Sequence, residues 1–128
     1  MLYEDLTRKI IGCAMKVHSS LGSGFQEVVY QRALGIELAK LGIEYMREYE
    51  MDLYYNDQVI GTRRVDFYIE NKIMVELKSI TNLEDVHLAQ ALNYLEAYHV
   101  SLGLLINFGS RSLEFKRIHN NKLSKNIK

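Results

Sequence analysis

The chain has 128 residues, 48% of them hydrophobic and 25% charged, with a formal net charge of zero. That length suits one domain spanning 1–128 with a real core, and the neutral balance argues against a strongly basic, non-specific nucleic-acid binder. A single cysteine, Cys13, excludes an internal disulfide and suits a cytoplasmic setting, the opening MLYEDLTRKI lacks the apolar stretch of a signal peptide, and the longest apolar run, LGLLINF, is too short to span a bilayer.

Charge is unevenly spread. Arg111, Lys116, Arg117, Lys122, Lys125 and Lys128 face one acid, Glu114, in the last eighteen residues, whereas ten basic residues stand against fifteen acidic ones elsewhere. Such an end reads as solvated chain or, alternatively, as a phosphate-binding tail.

Leu6, Ile10, Cys13/Ala14 and Val17 recur at helical spacing and predict a helix over 4–19, with Asp5 as its cap. SSLGSG breaks it. A second helix is expected over 25–41, with Tyr30, Leu34, Leu38 and Leu41 on one stripe and Gly42 as its left-handed stop. Strands follow over 44–55, 58–69 and 73–79, punctuated by Asn56-Asp57 and by Asn71. Thr81-Asn82-Leu83-Glu84 reads as a capping box opening a helix to about residue 99. Strands at 102–108 and 113–118 complete the order ααβββαββ. That order predicts an α/β sandwich around a mixed sheet, with the third and fourth strands made parallel by the crossover helix.

The stretch RRVDFYIENKIMVELK places charges inside strands otherwise built for burial. Val65, Phe67 and Ile69 should share one face, as should Ile73, Val75 and Leu77. Both sets reach the same side only with an odd-length turn, Glu70-Asn71-Lys72, that sets Ile69 opposite Ile73. Asp66 then pairs with Glu76, and Lys78 lies one diagonal step away. Opposed carboxylates need a neutralising partner. A divalent cation such as Mg²⁺ would serve, with Lys78 assisting a bound water or a phosphate; a surface cluster in which Lys78 pairs with a carboxylate would serve as well.

Asp66, nine intervening residues and Glu76-Leu77-Lys78 resemble the signature of the PD-(D/E)XK nuclease superfamily. Gln90-Ala91-Leu92-Asn93-Tyr94 is similar to the Q-x-x-x-Y motif of its RecB-like branch, and Gly24-Phe25-Gln26-Glu27-Val28-Val29-Tyr30, after His18 and LGSG, resembles the GxxExxY protein family. The resemblance runs from Leu6 to His119. Val65 stands where a proline often precedes the motif aspartate, and Ser23 replaces the proline of LGPG. The likeness implies a restriction-endonuclease-like three-layer sandwich. It also implies Glu27, Asp66 and Glu76 as ligands of Mg²⁺ or Mn²⁺, Lys78 as the catalytic lysine beside Asp66 and Glu76, and Gln90 and Tyr94 as substrate-orienting residues. The implied activity is hydrolysis of phosphodiester bonds in nucleic acid, with DNA ahead of RNA and a homodimer among the possible assemblies.

Each residue has a plainer reading. Glu27 suits the first turn of any helix, Tyr30 and Tyr94 suit a core, and His18 suits a helix C-terminus. His87, Arg63 and Arg64 suit solvated positions, although the arginines could also meet phosphate. Cys13 suits packing. A non-catalytic module of the same fold that binds nucleic acid or a protein is therefore the second functional reading, and a purely structural metal or ion-pair site the third.

Overall fold

The computed structural model describes residues 1–122; Lys125 and Lys128 of the basic tail lie outside them. The elements are α1 (Glu4–Leu21), α2 (Glu27–Lys40), β1 (Tyr45–Tyr55), β2 (Gln58–Ile69), β3 (Ile73–Lys78), α3 (Asp85–Ala97), β4 (Leu102–Asn107) and β5 (Glu114–His119). The strands form one sheet in the order β1-β2-β3-β4-β5. Only the β3–β4 pair is parallel, as the crossover through α3 requires. The predicted order ααβββαββ is the observed one.

Two apolar layers make this a three-layer sandwich. Helices α1 and α2 close one face of the sheet through Ile10, Ala14, Tyr30, Leu34 and Leu38 over Phe67, Ile73, Val75 and Ile106. On the other face α3 packs Leu95 against Val65, Met74, Leu105 and Ile118. Strand β4 lies between neighbours and under both layers, so all six of its residues are buried; this explains why its sequence is a continuous apolar run and not an alternation.

Several boundaries differ from expectation. Asp5 lies within the first turn of α1, pairing with Arg8 and Lys9, while Tyr3 in a left-handed conformation precedes the helix. Helix α2 begins at Glu27, and Leu41 falls beyond its last turn and is exposed, with Gly42 at φ 71° ending it as predicted. The capping box is not Thr81–Glu84. Glu84 is itself the cap, and His87 Nδ1 accepts its N–H at 3.0 Å. The reason is that buried Asn107 claims the preceding loop: its side chain bonds both the N–H and the C=O of Ile80, while Glu114 takes the Leu83 N–H. The loop passes so close to Gly109 that any side chain there would strike the Ile80 backbone.

The β2–β3 turn keeps the predicted register, Ile69 opposite Ile73, with Glu70 and Asn71 both left-handed. The expected shared face of Val65, Phe67 and Ile69 does not hold. Phe67 and Ile69 face α1 and α2, whereas Val65 belongs to the α3 layer. Strand alternation breaks at Asp66: Arg47 pairs with Phe67 and Tyr49 with Val65, but the rung between is missing and Glu48 takes φ 53°. An irregularity of this kind increases twist and re-aims side chains. Beyond it, the paired residues of β2 from Gln58 to Val65 have β1 alone as partner, because β3 meets β2 only at Phe67, Tyr68 and Ile69.

Candidate active site

The break in alternation is where the charged residues gather. Since the β2–β3 ladder stops at Phe67–Val75, Asp66 and Glu76 face each other across a gap and not across a hydrogen-bonded rung. The Asp66 carboxylate bridges that gap itself: Oδ2 accepts the Leu77 N–H at 2.8 Å. Its other oxygen, Oδ1, accepts from Gln31 Nε2 on α2, also at 2.8 Å.

Glu76 is only 8% exposed. Desolvation drives its carboxyl up to about 8; Arg63 opposes this, while the charge and a hydrogen bond of Asp66 add to it. Arg63 Nη2 lies 2.9 Å from Glu76 Oε1. The contact is ionic and poorly aligned as a hydrogen bond, since Glu76 Oε1 and Arg63 Nε are both buried without a hydrogen-bond partner. The guanidinium also sits 3.7 Å from the centre of the Tyr94 ring, a cation–π stack. Gln90 Nε2 donates to the Tyr94 hydroxyl at 3.3 Å, so the i, i+4 pair shares a helix face. Through Tyr94 the α3 residues reach the carboxylates; Gln90 remains exposed.

Glu27 and Lys78 complete the group. Glu27 heads α2, one turn before Gln31. Its entry is fixed by Tyr30, whose hydroxyl donates to Gly22 C=O at 2.5 Å and accepts from Phe25 N–H, while its ring stacks on Phe108. The motif tyrosine is thus a fully buried structural post. Ser79, directly after Lys78, donates to Phe25 C=O at 2.6 Å and ties the end of β3 to the start of α2. Glu27 is exposed over its surface as a whole, yet its carboxyl is shifted upward, first by partial desolvation, with Lys78 pulling it down and Asp66 pushing it up. With water at hand this reports which charges are near and not a contribution to stability. Among the described residues Lys78 forms no ion pair, so its ammonium is not consumed by Asp66 or Glu76.

Two participants lay outside the predicted site set. Gln31 is 4% exposed and bonded to Asp66; its place one turn after Glu27 was the available signal. Arg63 figured in the sequence as a strand-end charge or a phosphate contact, and nothing in the strand pattern foretells its turn toward Glu76. His18, by contrast, lies on the Ser110 carbonyl at 3.0 Å, and His87 caps α3.

The oxygen donors suit a hard cation that takes one or two carboxylates and waters. Asp66 and Glu76 supply the carboxylates, and Gln31 Oε1 is buried without a partner. Among the described residues no three His, Cys, Asp or Glu side chains are grouped as a metal cradle. Any ion held here would therefore complete its shell with water or substrate.

Fold and site together define an α/β sandwich with paired strand carboxylates, a neighbouring lysine and a helix-borne glutamate. The sequence profile of the PD-(D/E)XK nuclease superfamily matches residues 4–118, and the chain belongs to that superfamily. The match is made at that level, without the narrower GxxExxY name. Among solved structures the chain is similar to the crystal structure of SSO0001, with a TM-score of 0.57 and 16% identity, over 96% of this chain and 64% of that one. It therefore spans less than two thirds of that protein's length, and at this identity the likeness concerns the fold. No curated protein matches the chain. Among the described residues no helix is long and apolar enough to cross a membrane.

Proposed function

We propose that this protein is a metal-dependent nuclease that hydrolyses phosphodiester bonds of nucleic acid, DNA in the first instance. The observation that supports the reading is the closeness of Asp66 to Glu76 where β2 parts from β3, with the charges of Lys78 and Asp66 both acting on Glu27. Asp66 and Glu76, with Glu27 beside them, are the groups to hold Mg²⁺ or Mn²⁺. Such an ion would supply charge neutralisation at the phosphate and a more acidic bound water.

The chain's own residues do the rest. Lys78, in no close ion pair among the described residues though its charge acts on Glu27, is available to a phosphate oxygen or to the proton of the attacking water. Arg63 compensates Glu76 from the ring of Tyr94, and the exposed Gln90 amide beside that ring can orient the substrate backbone. We place the protein in the cytoplasm, consistent with the buried free thiol of Cys13. The described residues offer one such site, so a double-strand cut would use a homodimer.

The test is cleavage of labelled DNA and RNA in Mg²⁺ or Mn²⁺. Glu76→Ala and Lys78→Ala should each lose about 10³-fold in rate while keeping their far-UV spectrum. Cleavage retained by either folded variant removes that residue from the mechanism. A second reading, a non-catalytic module that binds nucleic acid or a protein, draws on the Arg63 contact with Glu76, which sets an internal cation beside the buried acid. It requires binding without turnover and indifference to the metal.

A further inference from the structure

We propose that Gln31 is the positioning residue of this site. Its amide nitrogen fixes the Asp66 carboxylate, and its carbonyl oxygen accepts a hydrogen bond from a water carried by the divalent ion. The inference rests on the metal-dependent reading above and adds a residue that the superfamily motifs in this sequence do not include.

Three observations carry it. Gln31 belongs to the helix that bears Glu27 and is 4% exposed, on a buried face shared with Tyr30, Leu34, Gly35 and Leu38. A primary amide at such a place is costly unless it is bonded. Its Nε2 donates to Asp66 Oδ1 at 2.8 Å, while the Leu77 N–H holds Oδ2 at the same distance. Two donors, one on each oxygen, lock the plane of the carboxylate, as partners of metal-ligating carboxylates do. The other half of the amide is the informative part. Gln31 Oε1 is buried with no hydrogen-bond partner, and it belongs to the same planar group that touches Asp66.

An orphaned buried acceptor costs about 1–3 kcal/mol, and the bond from Nε2 to Asp66 leaves that cost in place. The amide could not simply turn over to hide the orphan, because Oε1 would then oppose Asp66 Oδ1. A proton donor from outside the chain relieves both constraints. Water bound to a cation at Asp66 is such a donor, made more acidic by the ion.

The experiment is titration calorimetry with Mg²⁺ or Mn²⁺ alone on wild type, Gln31→Leu and Gln31→Glu, with thermal melts of each protein with and without the ion. Gln31→Leu loses the bond to Asp66 Oδ1 and should melt somewhat lower without the ion, and it should bind the ion about 10- to 100-fold more weakly. Gln31→Glu should melt lower than wild type without the ion, because a carboxylate then faces Asp66, and should recover with it. A residue that merely packs would instead leave the ion affinity of Gln31→Leu unchanged; that result overturns the inference and leaves the nuclease reading standing. Absence of ion binding by wild type and both variants overturns the metal-dependent reading and this inference with it.

Discussion

The two halves of β2 obey different rules. From Phe67 to Ile69 the strand is paired on both sides, and Phe67 and Ile69 are fully buried. From Gln58 to Val65 it has only β1 as a neighbour, and Val59 and Ile60 are more than half exposed. The inner half is held by packing on both faces; in the outer half Val65 and Arg63, next to the joint, pack toward α3, and the rest is held by one ladder of backbone bonds. Asp66 lies at the joint, and that is why a carboxylate can sit inside the sheet: it supplies the hydrogen bond to Leu77 that a continuing β2 backbone would have made. The site is the place where the sheet stops being regular.

The contrast is broken most directly from its inner half. Phe67→Ala removes a fully buried ring that meets Tyr45 edge-on at 5.2 Å, and should cost about 3–5 kcal/mol in a denaturant melt. A cost under about 1 kcal/mol would mean that the inner half is no better packed than the ribbon.

A second effect, of a few kcal/mol, comes from pH. The Glu76 carboxyl is raised from 4.5 to about 8 in the folded chain. Between those values the folded state holds a proton that the unfolded state has released. Stability therefore falls as pH rises from about 4.5 to about 8 and levels off above, at up to about 1.4 kcal/mol per unit. Melts of wild type across that range should show the decline, and Glu76→Gln should lack it. A divalent ion that favours the ionised carboxylate should flatten it in wild type.

A smaller effect sharpens the joint itself. In Asp66→Asn the introduced carbonyl still accepts the Leu77 N–H, and its NH₂ then faces Gln31. Rotation of the Gln31 amide would present the orphaned Oε1 to that donor. Stability should therefore change by less than about 1 kcal/mol, while cleavage is lost with the ligand charge. Combining the change with Gln31→Leu should cost more than the two single effects together, which a double-mutant cycle measures.

The order of elements, the register of the β2–β3 turn and the meeting of Asp66 with Glu76 were readable because period and turn chemistry are local properties. The opposed carboxylates followed from requiring one buried face. Val65 shows where that logic ends: its side was decided by the left-handed Glu48 on the neighbouring strand, which no pattern within β2 reports. The cap of α3 was misread for a related reason. Thr81–Glu84 has the right letters, but Asn107 and Glu114, distant in sequence, take the loop backbone first. Arg63 and Gln31 depend on contacts across elements, and of these only Gln31 had a positional hint.

The mildest test concerns the ribbon. Ile60 is 61% exposed and is the extra residue of a bulge, since Leu53 pairs with Gly61 and Tyr54 with Val59. It has neither a directly opposed cross-strand partner nor a place in either apolar layer. Ile60→Thr keeps the β-branched backbone preference and removes only apolar surface that folding leaves largely in water. Its effect on a denaturant midpoint should stay within about 0.5 kcal/mol. A loss approaching that of Phe67→Ala would require Ile60 to be covered in the native state. The outer half of β2 would then be held by packing after all, and the contrast between the two halves would fall.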